Sequence, residues 1–287
     1  YGQMRKILTE APVSYIKWDM NRAFSEVFSN GNDRAYQGKV RHNYILGVYS
    51  LYERLIQEFP DVLFESCASG GARFDPGMLH YAPQAWTSDD TDAVERIKIQ
   101  YGTSYVYPLS SMGSHVSASP NHQIFRSTSL ETRGNVAYFG TFGYELDITK
   151  LTEKELEQMK EQITFMKQHR DLIQKGEFYR LESPFKGNQA AWEVVAKDGS
   201  EGLMAYFRVR QPIQGKLERI YFSGLEETKA YEVRECFGEK TDFGVHYGDE
   251  LMYVGFSVSD CSSGLVGVAR TGQGDGYSRL FHFRKVN

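Results

Sequence analysis

The sequence predicts two folds in succession, a parallel α/β part and then an antiparallel all-β part. Up to about residue 150, short apolar runs typical of strands alternate with polar loops and one-sided helical patterns, which is the arrangement of parallel β/α units. After residue 176, short apolar runs follow one another between Gly, Asp and Lys turns without a long helical pattern, which favours an antiparallel β-sandwich. We therefore expect one domain at 1–174 and a second at 175–287.

The first part contains five strand candidates. They lie at 13–19, 62–67, 84–88, 103–109 and 136–139, and helical patterns lie at 43–59, from about 92, and at 152–175. A complete (β/α)8 TIM barrel has eight strands, and the chain begins at Tyr1 without a Met. We therefore expect the C-terminal part of such a barrel, about strands 4–8, with an active site at the carboxyl ends of its strands.

The second part contains six short strand candidates separated by turns. They lie at 192–194, 203–209, 218–222, 231–233, 251–256 and 280–283. A glycine-rich run at 271–276 lies among these strands, and no helical pattern follows it. Phosphate-binding glycine loops open a helix, so we interpret this run as a hairpin loop.

Composition and spacing exclude several function classes. A formal net charge of −4 and a pI of about 6.0 argue against a nucleic-acid partner, and no apolar run has the length of a membrane span. Three cysteines form too sparse and odd a set for a disulfide framework, which fits a reducing cytoplasm. His115 and His122 lack a third ligand for zinc, and Cys67 lacks an ordered Cys-His-Asn pattern for a thiol nucleophile. No metal or organic cofactor is expected.

Two carboxylates that follow predicted strands are candidates for glycoside hydrolysis. Retaining hydrolysis needs one carboxylate as nucleophile and a second carboxyl group as general acid and base. Asp19 ends the first strand, and Lys17 shares its parity, so a cation lies on the same side and favours the ionised carboxylate. Asp89 follows the third strand with Asp90 and Asp92 close behind. The pattern alone leaves open which of these three acts, whether they only cap a helix, and whether Asp19 only ends a strand.

Four motifs resemble the bacterial α-galactosidases of glycoside hydrolase family 36. Residues 15–22 (YIKWDMNR) are similar to the nucleophile motif, and residues 65–75 (ESCASGGARFD) to the next signature of that family. Residues 86–92 (WTSDDTD) resemble its acid/base motif, and residues 112–116 (MGSHV) a later one. The motifs occur in the order of the family, and the resemblance extends over the whole chain, including the predicted sandwich.

The resemblance implies a role for individual residues. Asp19 matches the family nucleophile, and Lys17 matches a lysine that contacts galactose. Asp89, three residues after Trp86, matches the acid/base, which favours it over its acidic neighbours. Trp86 itself would provide a wall for the apolar face of the sugar.

The same resemblance implies further substrate contacts around the second signature. Cys67 and Ser69 would line the galactose subsite, although many relatives have Gly where this chain has Ser69 and Ala72. The other residues expected to contact the substrate are Trp18, Asn21, Gly70 and Arg73.

The resemblance implies a retaining α-galactosidase that acts by double displacement, without a cofactor, on small oligosaccharides of the melibiose and raffinose type. Relatives often assemble as tetramers, so a homo-oligomer is one alternative for this chain. Relatives also carry an N-terminal β domain and the first barrel strands. The second hypothesis is therefore an inactive, N-terminally truncated fragment, and a sugar-binding module without catalysis is a third.

Overall fold

The computed structural model describes residues 1–22, 24–212, 218–238, 240–258 and 274–286. The chain divides into two compact units, Tyr1–Asp89 and Asp90–Asn287. Residues 271–273 of the predicted glycine-rich hairpin loop lie outside the described residues. No helix among the described residues is long and apolar enough to cross a membrane.

The first unit contains three parallel strands in the order β1-β2-β3. The strands are β1 (Tyr15–Asp19), β2 (Leu63–Cys67) and β3 (Gln84–Trp86), and the helices are α1 (Gly2–Glu10), α2 (Val40–Glu58) and α3 (Pro76–Tyr81). A 3-10 turn, Arg34–Lys39, precedes α2. The predicted strands at 13–19, 62–67 and 84–88 and the predicted helix at 43–59 are confirmed in type and place.

The register of these strands gives the sheet one polar and one apolar face. Lys17 is paired with Glu65, and Glu65 with Gln84, so these three side chains form one row on the same face. On the other face, Ile16 and Trp18 of β1 pack into a hydrophobic cluster of the first unit. The core members of that cluster are Tyr52, Leu55, Phe64, Met78 and Ala82.

The second unit begins with two further parallel strands and three helices. They are α4 (Ala93–Thr103), β4 (Met112–Ser117), α5 (Leu130–Ala137), β5 (Thr141–Glu145) and α6 (Glu153–Lys175), with 3-10 turns at Leu109–Ser111 and Ile148–Lys150. Strands β4 and β5 pair in parallel. Helix α6 starts with a capping box, in which Thr152 and Glu155 bond each other's backbone N–H, and this confirms the predicted helix at 152–175.

Two of the predicted parallel strands were wrong in position. The segment 103–109 leaves α4 through turns, with Val106 donating its N–H to the carbonyl of Thr103 and 72% exposed. The segment 136–139 forms the last two residues of α5 and the turn after it, and its side chains are buried there. Periodicity cannot separate a short buried helix from a buried strand. Of the strands that form instead, β4 is rich in Gly and Ser and almost fully buried, so burial between its neighbours outweighs its weak β-propensity.

The remainder of the second unit is an antiparallel sheet of six strands in the order β11-β10-β13-β8-β7-β6. The strands are β6 (Glu177–Glu182), β7 (Gln189–Val195), β8 (Glu201–Arg208), β10 (Ala230–Glu235), β11 (Asp242–Tyr247) and β13 (Tyr277–Lys285); β9 (Arg219–Ile220) and β12 (Phe256–Ser257) pair separately. The change from helix to antiparallel strands occurs between Lys175 and Glu177. Only the predicted strand at 251–256 differs, because a π-helical turn occupies Glu250–Val254.

Candidate active site

Asp19 lies at the carboxyl end of β1, on the polar face of the first unit's sheet. Its Oδ2 accepts a hydrogen bond from Asn21 Nδ2 at 2.7 Å. Partial burial by itself would raise the pKa of Asp19, but hydrogen bonds from Asn21 and the Cys67 thiol, together with the charge of Lys17, outweigh it and lower the pKa below its usual value. Asp19 is therefore ionised at neutral pH, as a nucleophile must be.

Cys67 lies beside Asp19 in the register of β1 and β2. Its side chain is 3% exposed. Burial, with the hydrogen bond to Asp19 as a smaller contribution, raises the pKa of the Cys67 thiol to about 11. The thiol is thus a neutral hydrogen-bond donor to the carboxylate, which agrees with the argument from sequence against a thiol nucleophile.

Lys17 extends along the polar face between two partners. Its Nζ lies 3.9 Å from Oε1 of Glu65 and 4.2 Å from the centroid of the Trp86 ring. Trp86 is 2% exposed. The structure therefore revises the expected role of Trp86, since its ring supports Lys17 and presents almost no free face to a sugar.

The loop after β2 approaches both candidate carboxylates. Ser69 donates its backbone N–H to Asn21 Oδ1 at 2.8 Å, so the loop is tied to the residue that binds Asp19. A Cβ on Gly70, which has φ of +77°, would lie 2.6 Å from the Cα of Ser88 and 2.9 Å from the backbone nitrogen of Asp89. Only glycine permits this close approach, so the loop after β2 sets where Asp89 lies.

The three acidic residues after β3 have different surroundings. Asp92 is 2% exposed and caps α4, accepting N–H bonds from Val94 at 3.0 Å and Glu95 at 3.1 Å. Asp90 accepts the N–H of Asp92 at 3.1 Å. Asp89 is exposed and caps no helix among the described residues. The capping interpretation therefore holds for Asp92, and Asp89 remains the carboxyl group that is open to a ligand.

Trp18 and Arg73, two of the predicted substrate contacts, have partners within the protein. The ring of Trp18 packs against Tyr52, with ring centroids 4.6 Å apart, on the side of β1 opposite Asp19. Arg73 Nη2 donates to the backbone carbonyls of Trp18 at 2.9 Å and Cys67 at 2.8 Å, which joins the carboxyl ends of β1 and β2. Trp18 therefore packs the core. Arg73 joins the strand ends and also lines the cavity that contains Asn21 and Ser69, so its contact with a substrate stays a prediction.

Three residues of the polar face were missed by the sequence analysis. Oε2 of the buried Glu65 accepts a hydrogen bond from the Tyr15 hydroxyl and another from Gln84 Nε2 at 3.1 Å. A signal existed in the sequence, because Tyr15 shares the parity of Lys17 and Glu65 shares that of Cys67 on the next strand. Only the register, however, shows that the two strands place these side chains in adjacent rows.

A cavity of about 430 Å³ opens next to Asn21 in the first unit. Its aromatic walls are Phe24, Tyr44 and Tyr49, and Ser69 contributes a polar rim. This volume lies in the range of small-molecule sites, and such sites combine apolar walls with a few polar groups. Among the described residues, no group of three His, Cys, Asp or Glu side chains could hold a metal ion.

Two family models and several known proteins are similar to this chain. The family model Melibiase matches residues 1–176, and the model of the glycosyl hydrolase family 36 C-terminal domain matches residues 189–283. The α-galactosidase AgaA of Geobacillus stearothermophilus is 52% identical over 260 residues, which is 91% of this chain and 35% of that protein. The α-galactosidase Mel36A of Lactobacillus acidophilus is 41% identical over 290 residues, 100% of this chain and 37% of that protein.

The fold is likewise that of solved family members. A crystal structure of the Lactobacillus brevis α-galactosidase matches with a TM-score of 0.91 at 47% identity. The match covers 100% of this chain and 37% of the Lactobacillus brevis chain. The chain thus spans little more than a third of the length of these relatives. The predicted fold class, the C-terminal part of a TIM barrel followed by an antiparallel β domain, is confirmed. Since the melibiase model matches well over half of the chain, the protein belongs to the melibiase family, glycosyl hydrolase family 36.

Proposed function

We propose that this chain carries the two catalytic carboxylates of a retaining α-galactosidase, with Asp19 as nucleophile and Asp89 as general acid and base. One observation carries the proposal. Asp19 lies at a strand end with its pKa lowered by hydrogen bonds from Asn21 and Cys67 despite the opposing effect of burial. An exposed second carboxyl group, Asp89, follows a nearby strand of the same unit.

In the first step, an Asp19 carboxylate oxygen attacks the anomeric carbon of the α-galactoside. The bond from that carbon to the aglycone oxygen breaks, and protonated Asp89 transfers its proton to the leaving oxygen. The product is a galactosyl ester on Asp19 with inverted configuration. The donors around Asp19 hold the carboxylate in the orientation that attack requires.

In the second step, Asp89, now ionised, takes a proton from water while the water oxygen attacks the anomeric carbon. The ester bond to Asp19 breaks, and the second inversion restores the α configuration. Asp89 is again protonated and Asp19 again ionised. A single turnover therefore consumes one water and releases no net proton.

Relatives support the proposed substrate class. AgaA of Geobacillus stearothermophilus has been solved in complex with raffinose and, as another variant, with stachyose. The aspartates replaced in those two variants are 70 positions apart, the separation of Asp19 and Asp89 in this chain. We extend the proposal to small α-galactosides of the raffinose and melibiose type as substrates.

Three further expectations remain part of the proposal. They are a cytoplasmic location, a domain boundary near residue 174 and self-association of the chain. The sparse cysteines support the first. The second is supported by the end of α6 at Lys175 and by the separate family models on either side.

Azide rescue tests the two catalytic roles separately. In Asp19→Ala, azide can attack the anomeric carbon only once, so we expect β-galactosyl azide from a substrate with a good leaving group. In Asp89→Ala, azide intercepts the galactosyl ester of Asp19, so the expected product is the α-azide. Each substitution should lower turnover of an aryl α-galactoside without azide by about 10³-fold or more, measured by release of the aryl alcohol and by NMR of the azide product.

The exposed Asp61 provides a matched control, since Asp61→Ala also removes an aspartate from the first unit but lies in the turn before β2. The Asp61→Ala protein should hydrolyse the aryl α-galactoside as fast as the unsubstituted chain. An Asp19→Ala protein with full turnover, or the same azide anomer from both variants, would refute the assignment. A folded 287-residue chain without turnover would instead favour the alternative in which these residues form only part of the working site.

A further inference from the structure

Glu65 is a buried carboxylate on the polar face for which the proposed chemistry has no direct use. It is 1% exposed, and its Oε1 accepts no hydrogen bond from the described residues. The group closest to that oxygen with a compensating charge is the Lys17 ammonium, at 3.9 Å. A buried carboxylate is costly unless a cation and hydrogen bonds compensate it, so Glu65 and Lys17 are coupled.

The other carboxylate oxygen of Glu65 is held by neutral donors. Tyr15 donates its hydroxyl to Oε2, and Gln84 Nε2 donates to the same atom at 3.1 Å and to the Tyr15 oxygen at 3.2 Å. Burial, and then the bond to Glu65, raises the pKa of the Tyr15 phenol, which keeps it a donor at neutral pH. One oxygen is therefore fixed by β1 and β3, and the other is directed at Lys17.

The side chain of Lys17 extends along the sheet from its own row of paired residues to the next row, which contains the candidate nucleophile Asp19. Its Cα is paired with that of Glu65, one row below the pair formed by Asp19 and Cys67. Its Nζ nevertheless lies 4.2 Å from the centroid of Trp86, a side chain two residues beyond Gln84 on β3. The lysine therefore leans along the sheet toward the carboxyl ends of the strands, with the indole as its platform.

We propose that Glu65 is a positioning residue, whose buried carboxylate holds the Lys17 ammonium on the Trp86 ring so that the remaining donors of Lys17 are directed at the sugar hydroxyls. This inference rests on the proposed function. A lysine side chain has four rotatable bonds and loses rotamer entropy when it is fixed, which opposes binding. Because Glu65 and Trp86 already order the lysine in the unliganded protein, this entropy is not lost when a sugar binds.

Glu65 acts through Lys17 because the carboxylate itself cannot reach a ligand. Its side chain is 2% exposed, whereas that of Lys17 is 36% exposed. Contact with a sugar is therefore open to the ammonium and closed to the carboxylate. This separates a positioning role from a catalytic one.

The position of Lys17 can be measured without any ligand. In a chain with 13C-labelled lysine, the ε-methylene signal that Lys17→Met removes should lie upfield of the exposed lysines, because it lies over the indole ring. In Glu65→Gln that signal should move to the position of the exposed lysines. An upfield signal that is unchanged in Glu65→Gln would overturn the proposal.

A double-mutant cycle tests the consequence for binding, with 1-deoxygalactonojirimycin, a ligand of a solved AgaA variant, as the probe. Glu65→Gln and Lys17→Met should each raise its Kd, by about 10- to 100-fold for a lost charge-assisted hydrogen bond. The double variant should be no weaker than Lys17→Met alone. Additive losses would mean that Glu65 acts independently of Lys17, and the proposal would fail.

Two further variants serve as controls for misfolding and for the general effect of removing a charge. Tyr15→Phe removes one donor to Glu65 but keeps the ring, and it should move the Lys17 signal in the same direction by a smaller amount. Glu58 also accepts a tyrosine hydroxyl, that of Tyr1, and pairs with a cation, Arg5 Nε at 2.6 Å. Glu58→Gln should therefore leave both the Lys17 signal and the Kd unchanged.

The two measurements separate this inference from the proposed function. If the unsubstituted chain binds no probe, the proposed function loses support, and the lysine spectra still decide whether Glu65 holds Lys17. If the probe binds and Glu65→Gln leaves its Kd unchanged, the proposed function stands and the role of Glu65 is refuted.

Discussion

The polar face of the β1–β3 sheet and the inner face of the antiparallel sheet each bury a glutamate, but in different surroundings. Glu65 has a cation and two neutral donors as partners. Glu193 of β7 is fully buried among aromatic and aliphatic side chains, and the one hydrogen bond that the described residues give it comes from the backbone N–H of Ser223 at 2.5 Å. Burial raises the pKa of Glu193 well above its usual value. Burial therefore favours the protonated form of Glu193.

The two sheet faces contribute differently to the protein, one to its stability and the other to its chemistry. The inner face of the antiparallel sheet packs Met204, Tyr206, Phe281 and Phe283, all 0% exposed, against the segments around β9 and β12. On the β1–β3 face, polar groups occupy positions where apolar side chains would pack, and Lys17 and Asp19 stay accessible. We infer that the antiparallel sheet contributes mainly apolar burial, while the polar face holds charges in place for a ligand.

The largest expected effect is on the apolar face. The ring of Phe281 lies 5.2 Å from that of Phe256 and 5.7 Å from that of Phe243, centroid to centroid. Phe281→Ala should lower the free energy of unfolding by about 3–5 kcal/mol, because it removes a buried ring and leaves a cavity. Urea denaturation measures the loss, and a loss below about 1 kcal/mol would contradict the assignment of stability to this face. The upfield Lys17 signal should not change.

The second prediction concerns the pH dependence that Glu193 contributes. Its pKa is higher in the folded state than in the unfolded chain, so the folded state holds the proton more tightly. The free energy of unfolding should therefore fall as pH rises above about 4.5. The equilibrium constant for unfolding should rise by at most about tenfold per pH unit. Glu193→Gln removes this titration.

Unfolding curves of both proteins between pH 4 and pH 8 test that sign. The two should be similar in stability near pH 4, and Glu193→Gln should be the more stable at pH 8. A parallel pH dependence in both proteins would show that Glu193 is ionised in the core, and the contrast between the two glutamates would then disappear.

The smallest expected effect is at Ser69, beside the polar face. Its φ of +46° lies in the left-handed region, which costs a residue other than glycine about 1–2 kcal/mol. Ser69→Gly relieves this strain, but it adds freedom to the unfolded chain and removes the 3.3 Å contact from Oγ to Asn21. We expect Ser69→Gly to raise the free energy of unfolding, measured by thermal denaturation, by at most about 1 kcal/mol. A clear loss would mean that the hydroxyl contact matters more than the backbone strain.

Much of the fold and of the site could be predicted because it depends on local patterns. Helices α2 and α6 have one-sided apolar spacing, and α6 has a capping box, so both were found. Lys17 and Asp19 share a face because strand side chains alternate. Strand β4 was missed since its sequence, MGSHVS, has little β-propensity and forms a strand only where both of its faces are covered.

Local patterns were enough to predict that strand ends carry carboxylates, that Asp19 has a lysine on its own side, and that the chain resembles family 36. Three features became visible only in the folded chain: which acidic residue after β3 caps a helix, how Trp18 and Arg73 support the strands, and that Glu65 faces Lys17. The physical reason is that parity within one strand is local. Register between strands is set by contacts among residues far apart in sequence, here Lys17 and Glu65.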